Sequence, residues 1–128
     1  VTPLLLDSNA LLWAVLDSPR LGKAARKTMR ERAGAIFFSH ASIWELAIKS
    51  ASGKLRLEED FAEAAESAGF SLLPLTAQHC WQAAHLPRHH ADPFDRLMVA
   101  QAEIEKLAFV TSDKILAIYG ITVIDAGR

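Results

Sequence analysis

The sequence predicts an α/β fold, a mostly parallel sheet with helices on both sides. Three observations predict it. Five short apolar runs read as strands, and most stop at a polar or turn residue. Segments with helical spacing separate these runs. No internal repeat or Pro/Gly/Ser linker divides the 128 residues, so the chain reads as one domain over 1–128. Connections between parallel neighbours are expected to be right-handed crossovers.

Each element follows from local signals. Residues 4–6, all Leu, form the first strand, which Asp7 stops. Asn9 is placed to cap a helix through Leu16, closed by Asp17-Ser18-Pro19. Leu21, Ala24, Ala25, Thr28 and Met29 recur at helical spacing, so residues 20–33 read as an amphipathic helix ended by Gly34. Residues 35–38 are the second strand. Ser39 then caps a helix to Ser50 with Ile43, Trp44, Ala47 and Ile48 on its apolar side. Residues 58–68 read as a short acidic helix before Gly69. Residues 71–75 are the third strand, and Pro74 favours an edge position. Thr76 caps a helix to Ala84, and residues 86–91 form a loop. Asp92-Pro93 is a strong helix start, a capping side chain followed by Pro at the first helical position. That helix runs to Lys106. Residues 107–111 are the fourth strand, 113–119 a short helix ended by Gly120, and 121–124 the fifth strand.

Composition excludes several function classes. Fourteen Lys and Arg against fifteen Asp and Glu give a net charge of −1. A globally basic nucleic-acid binder is excluded, so any such contact needs a local patch. Cys80 is the only cysteine, which forbids an internal disulfide and suits a reducing cytoplasm. Its place in an apolar helix suggests a small core residue. The longest apolar runs are far short of a membrane span, and no secretory leader opens the chain; a cytoplasmic protein is expected. The chain opens on Val1 rather than Met, so a residue or two is expected upstream.

In open parallel sheets, sites form where the chain leaves the carboxyl ends of the strands. Nearly every such exit here carries an acid. Asp7 follows the first strand, Glu45 lies in the second turn of the next helix, Asp92 and Asp95 share one helix start, and Asp113 follows the fourth strand. No Gly-rich phosphate loop or dinucleotide fingerprint accompanies them. Converging carboxylates repel, so they share protons or bind a hard cation. Oxygen ligands point to Mg²⁺ or Mn²⁺ rather than zinc. Such clusters serve metal-assisted phosphodiester hydrolysis. Each acid alone has a plainer reading. Asp7 could be a turn residue, Glu45 an exposed partner of Lys49 at i,i+4, and Asp92 and Asp113 helix caps. The constellation argues more strongly than any member.

Other residues carry less. The five histidines show no convincing ligand spacing on one helical face. Trp13, Trp44 and Trp81 read as packing residues. Residues 20–32 hold six basic residues and one acid, with Arg20, Lys23, Lys27 and Arg30 as a stripe. That stripe is a solvated face or a contact for RNA backbone or a partner protein. Residues 58–66 hold five acids and no Lys or Arg.

Four blocks carry a family resemblance: residues 4–13, with Asp7-Ser8-Asn9; residues 41–49, with Trp44-Glu45-Leu46; residues 89–102, with His89-His90-Ala91-Asp92-Pro93-Phe94-Asp95-Arg96; and Val110-Thr111-Ser112-Asp113. In this order the chain resembles PIN-domain ribonucleases of the VapC toxin type over nearly its whole length. The resemblance implies a three-layer α/β/α sandwich on a five-stranded parallel sheet. It implies a Mg²⁺- or Mn²⁺-dependent endoribonuclease, neutralised by a VapB-like antitoxin and usually a homodimer. The family's four acids fall on Asp7, Glu45, Asp95 and Asp113, with Ser8 and Thr111 as supporting polar residues. Asn9 stands where relatives often have His. Asp92 is an extra acid, assigned here to the helix cap with an outer role at the metal. Asp7, Asp95 and Glu45 would hold the main ion, and Asp113 would complete the cluster or recruit a second. The expected activity is a toxin cleaving structured or single-stranded loops of cellular RNA, leaving a 5′-phosphate and a 3′-hydroxyl.

Two rivals remain. A receiver-like signalling module needs an acid pair after the first strand, an Asp after the third and a Lys after the fifth. Here those exits read Asp7-Ser8-Asn9, Pro74-Leu75-Thr76 and Asp125, so that rival largely fails. A non-catalytic α/β binding module with structural acids is separated by an RNA-cleavage assay.

Overall fold

The computed structural model describes residues 1–58 and 60–128. Strand β1 (Leu4–Leu6) shows why its sequence is apolar throughout. All three leucines are buried, with Leu4 and Leu6 on one face of the sheet and Leu5 on the other. A strand covered on both faces sits at the centre of a parallel sheet. The order is β3-β2-β1-β4-β5, and every pairing is parallel. The other strands are β2 (Ile36–Ser39), β3 (Ser71–Leu73), β4 (Ala108–Thr111) and β5 (Val123–Asp125).

Helices α1 (Ser8–Val15), α2 (Lys23–Glu31) and α4 (Phe61–Ser67) cover the face that holds Leu4, Leu6, Ile36, Phe38, Ala108 and Val110. Helices α5 (Ala77–His85) and α6 (Pro93–Glu105) and the 3-10 helix Lys114–Tyr119 cover the face of Leu5 and Phe109. Helix α3 (His40–Ala51) reaches both cores, with Leu46 in the first and Ala41 in the second. The three-layer α/β/α sandwich on a five-stranded parallel sheet is therefore present.

Register sets up the site. Leu6 pairs with Phe38 on one side and Val110 on the other. The residues one step further on, Asp7, Ser39 and Thr111, therefore stand side by side at the carboxyl end of the sheet. The Asp7 amide donates to the Val110 carbonyl at 2.9 Å, which extends the ladder to the first acid.

Several boundaries differ from expectation. Asn9 does not cap α1. The strand passes straight into the helix, and Asp7 caps it by accepting from the Ala10 amide at 2.7 Å. Helix α2 starts at Lys23 rather than residue 20, because backbone from the end of the chain occupies its approach. Gly22 donates to Ala126 O at 2.9 Å and Ala24 to Arg128 O at 2.7 Å. A Cβ on Gly22 would lie 1.9 Å from the Arg128 carbonyl carbon, so only glycine fits. Strand β3 lies at the sheet edge and ends just before Pro74, which cannot donate to a ladder. The acidic segment is helical only over Phe61–Ser67; Glu59, inside the expected 58–68 helix, lies outside the described residues. Strand β5 runs Val123–Asp125, later than the expected 121–124.

Buried packing also departs from the apolar count. In α3 the buried residues are Ala41, Ser42 and Leu46, while Trp44, Ala47 and Ile48 are exposed. Trp44 is 65% and Trp81 70% exposed; only Trp13 packs on the core as expected. Cys80 is exposed, not a core residue, because α5 turns His79 and Ala83 inward instead. Among the described residues no helix is long and apolar enough to cross a membrane.

Candidate active site

Asp7, Ser8, Asn9, Glu45, Lys49, Asp92, Asp95, Ser112 and Asp113 line one cleft of about 200 Å³. All five acids singled out in the sequence, Asp92 included, are among them. Thr111 is fully buried beneath the cleft.

Each acid is held by its own local device. Asp7 spends one oxygen on the start of α1. Burial pushes its carboxyl up from 3.8 to about 6; the Thr111 hydroxyl and the Ala10 amide pull it down, and Glu45 and Asp113 push it further up. Glu45 is engaged at both oxygens. The buried Ser8 hydroxyl donates to Oε1, and Lys49 Nζ lies 3.5 Å from Oε2. Glu45 does pair with Lys49 at i,i+4, but its side chain is only 14% exposed, so the plain reading of an exposed surface pair does not hold for it. Ser8 Oγ also lies 3.1 Å from Ser42 Oγ, which explains why α3 buries a serine.

Asp92 caps α6, with Oδ1 accepting from the Phe94 amide at 2.8 Å and the Asp95 amide at 3.3 Å. Asp95 is free of that duty. Burial pushes its carboxyl up to about 7, the charges of Asp92 and Asp7 add to the rise, and the His90 imidazole opposes it. Asp113 does not cap the 3-10 helix. Its amide instead donates to Thr111 Oγ1 at 3.0 Å, so one hydroxyl supports both Asp7 and Asp113.

A histidine also stands against these acids. His90 Nε2 lies 2.8 Å from Asp113 Oδ2 and 3.7 Å from Asp95 Oδ2. His90, Asp95 and Asp113 bring possible ligand atoms within 4.8 Å of one another. Residue spacing misses His90 because it sits on a loop rather than a helix face. Its loop is shaped by Arg96, whose guanidinium donates to the carbonyls of Ala83 and Leu86 at 2.8 Å each, Pro87 at 3.0 Å and His90 at 3.3 Å. An Arg one residue after Asp95, with nearby loop carbonyls to satisfy, was the available signal. His79, by contrast, is a buried structural histidine that closes the capping box of α5 and pairs with Glu105 at 2.8 Å.

The basic stripe is not at the cleft. Arg20 precedes α2, while Lys23, Lys27 and Arg30 lie exposed on it, and none of the four lines the acids. The cation that does is Lys49.

The donor set fits a hard divalent cation. Five carboxylates face a small polar cleft, and two are held well above their ordinary range by burial and neighbouring charge. A cation among them removes that repulsion.

A sequence model of a family described as PIN domain matches residues 4–121. Comparison with curated proteins returns no match. Among solved structures, the chain is similar to DNA-bound VapBC from Salmonella typhimurium, with TM-score 0.71 and 17% identity over 98% of both chains. It is also similar to VapBC2 from Rickettsia felis bound to a DNA fragment from the promoter, with TM-score 0.70 and 16% identity over 95% of this chain and 97% of that one. A third similar structure is FitAcB from Neisseria gonorrhoeae, with TM-score 0.67 and 16% identity over 96% and 97%.

Proposed function

The chain belongs to the PIN-domain family, and on that premise we propose that its acidic cleft is the active site of a metal-dependent endoribonuclease of the VapC toxin type. PIN domains are generally nucleases, so hydrolysis of nucleic acid is the coarser reading. The observation that carries the finer one is the convergence of Asp7, Glu45, Asp92, Asp95 and Asp113 on one cleft, with Asp7 pushed up to about 6 and Asp95 to about 7.

Asp7, Glu45 and Asp95 would hold Mg²⁺ or Mn²⁺, with Asp113 completing the set. Such a cation neutralises charge on a scissile phosphate and lowers the pKa of an attacking water. The chain's own residues do the positioning. Thr111 steadies Asp7 from below, and Ser8 fixes Glu45 against rotation. Lys49, at the cleft wall, offers an ammonium to a phosphate oxygen of the RNA. Asp92 keeps α6 anchored so that Asp95 enters the cleft at its first turn.

The toxin reading draws support from the neighbours, which are VapBC and FitAB complexes. It carries a cognate VapB-like antitoxin as partner, a homodimer as the assembly and the cytoplasm as the place of action. The test is direct. Purified protein freed of any antitoxin is incubated with total cellular RNA and Mg²⁺ or Mn²⁺. Cleavage to 5′-phosphate ends that EDTA abolishes is expected. No cleavage under any divalent ion would favour a binding module in which the acids are structural.

A further inference from the structure

We infer that His90 is a positioning residue that holds the Asp113 carboxylate in place for a cation, and is not itself a ligand. The inference rests on the reading of the cleft as a cation site. The ring is fixed at both nitrogens. Nδ1 lies 3.1 Å from the Asp92 amide nitrogen, and a backbone amide only donates. Nδ1 therefore carries the lone pair and Nε2 the ring proton. Nε2 lies 2.8 Å from Asp113 Oδ2, so it donates to that oxygen. Neither nitrogen is left with a lone pair for a metal. The close grouping of His90, Asp95 and Asp113 thus resembles a three-ligand site but works differently.

Asp113 is the acid that most needs such support. Its side chain is 40% exposed, against 19% for Asp95. It lies past the end of β4, where Thr111 Oγ1 fixes its main chain but not its side-chain torsions. An unrestrained carboxylate loses rotamer freedom when it binds an ion, which weakens binding. The bond from Nε2 occupies a lone pair of Oδ2 and leaves Oδ1 for the cation. Ligand carboxylates are commonly steadied by such outer partners. Arg96 fixes the loop on which His90 stands, by its bonds to four carbonyls on either side of the turn. The support therefore runs from α6 through Arg96 and His90 to Asp113.

The test measures Mn²⁺ binding by the loss of the free-ion electron paramagnetic resonance signal, with folding of every variant checked by circular dichroism. His90→Ala is expected to weaken binding by roughly tenfold. His90→Gln keeps an amide donor near the Nε2 position and should restore most of it. In an Asp113→Asn background, His90→Ala should add nothing. Pulsed spectra of bound Mn²⁺ should lack the coupling of a coordinated imidazole nitrogen. Unchanged binding in His90→Ala, equal losses in the Ala and Gln variants, further loss in the Asp113→Asn background, or strong nitrogen coupling would each overturn the inference. Nitrogen NMR of the metal-free wild type gives a check that needs no variant. The proton is expected on Nε2, and a proton on Nδ1 alone would contradict the geometry. Wild-type protein that binds no Mn²⁺ would instead overturn the reading of the cleft, and the role of His90 with it.

Discussion

Asp92 and Asp95 stand three residues apart and share one helix start, yet their chemistry diverges. Asp92 gives Oδ1 to two amides of its own helix, whereas Asp95 makes no such bond and is held up near 7. Asn at position 92 keeps an oxygen for the cap, so Asp92→Asn should retain most RNA cleavage. On the proposed reading Asp95→Asn would remove a metal ligand, and RNA cleavage should fall by roughly a thousandfold in rate. Comparable losses in kinetic assays of the two folded variants would make Asp92 a working acid. Gln101 is a different kind of residue-scale case. It is fully buried, and its Oε1 has no hydrogen-bond partner among the described residues, while its Nε2 makes only a long 3.4 Å contact to Leu73 O. Burying an unsatisfied acceptor costs more than replacing it with an apolar group of similar size. Gln101→Met should therefore match or exceed the wild type, by up to about 1 kcal/mol in urea unfolding. A clear loss would mean that the amide is satisfied by water.

At the scale of elements, Gly22 is the point where helix α2 meets the end of the chain. A methyl group there would overlap the Arg128 backbone at 1.9 Å, and no side-chain rotation relieves a backbone clash. Gly22→Ala should destabilise by about 1–3 kcal/mol, read as a lower melting temperature. An unchanged melting temperature would show that this packing is dispensable. Element type was legible along the described chain because strands and helices alternate with clear periods and caps. Ser39, Thr76 and Asp92 each cap the helix that the sequence assigned to them. Boundaries were less legible where tertiary contacts decide them. The start of α2 depends on residues more than 100 positions away, which local spacing does not encode. The apolar face of α3 was misread for a related reason. Ser42 is buried because Ser8 lies beside it, while Trp44 and Ile48 stay exposed. In the site, the acids were legible because strand exits in a parallel sheet converge. His90 was not, because only the fold of the α5–α6 loop brings it against Asp113.

For the whole molecule, the cleft links charge, stability and activity. Asp7 and Asp95 bind their protons more tightly when folded, at about 6 and about 7, than the 3.8 of the unfolded chain. Between these values the native state holds more protons than the unfolded state, so the slope of unfolding free energy with pH is negative. The contribution of both acids is full below about pH 4 and is lost as pH rises through about 6 and 7. Metal-free protein should therefore lose melting temperature over that range, and Asp95→Asn should flatten the decline. On the proposed reading a divalent cation would bind the ionised acids, so adding one should raise the melting temperature most above pH 7, by mass action. A metal-free profile that instead rises through this window would mean that the carboxylates are satisfied by the fold itself. The proposed cation site lies at one place, the carboxyl end of the sheet. Anomalous diffraction from a Mn²⁺-soaked crystal tests it most directly. The strongest peak is expected in the cleft, within ligand distance of Asp7 and Asp95; a cleft without a peak at saturating Mn²⁺ would refute a cation site there.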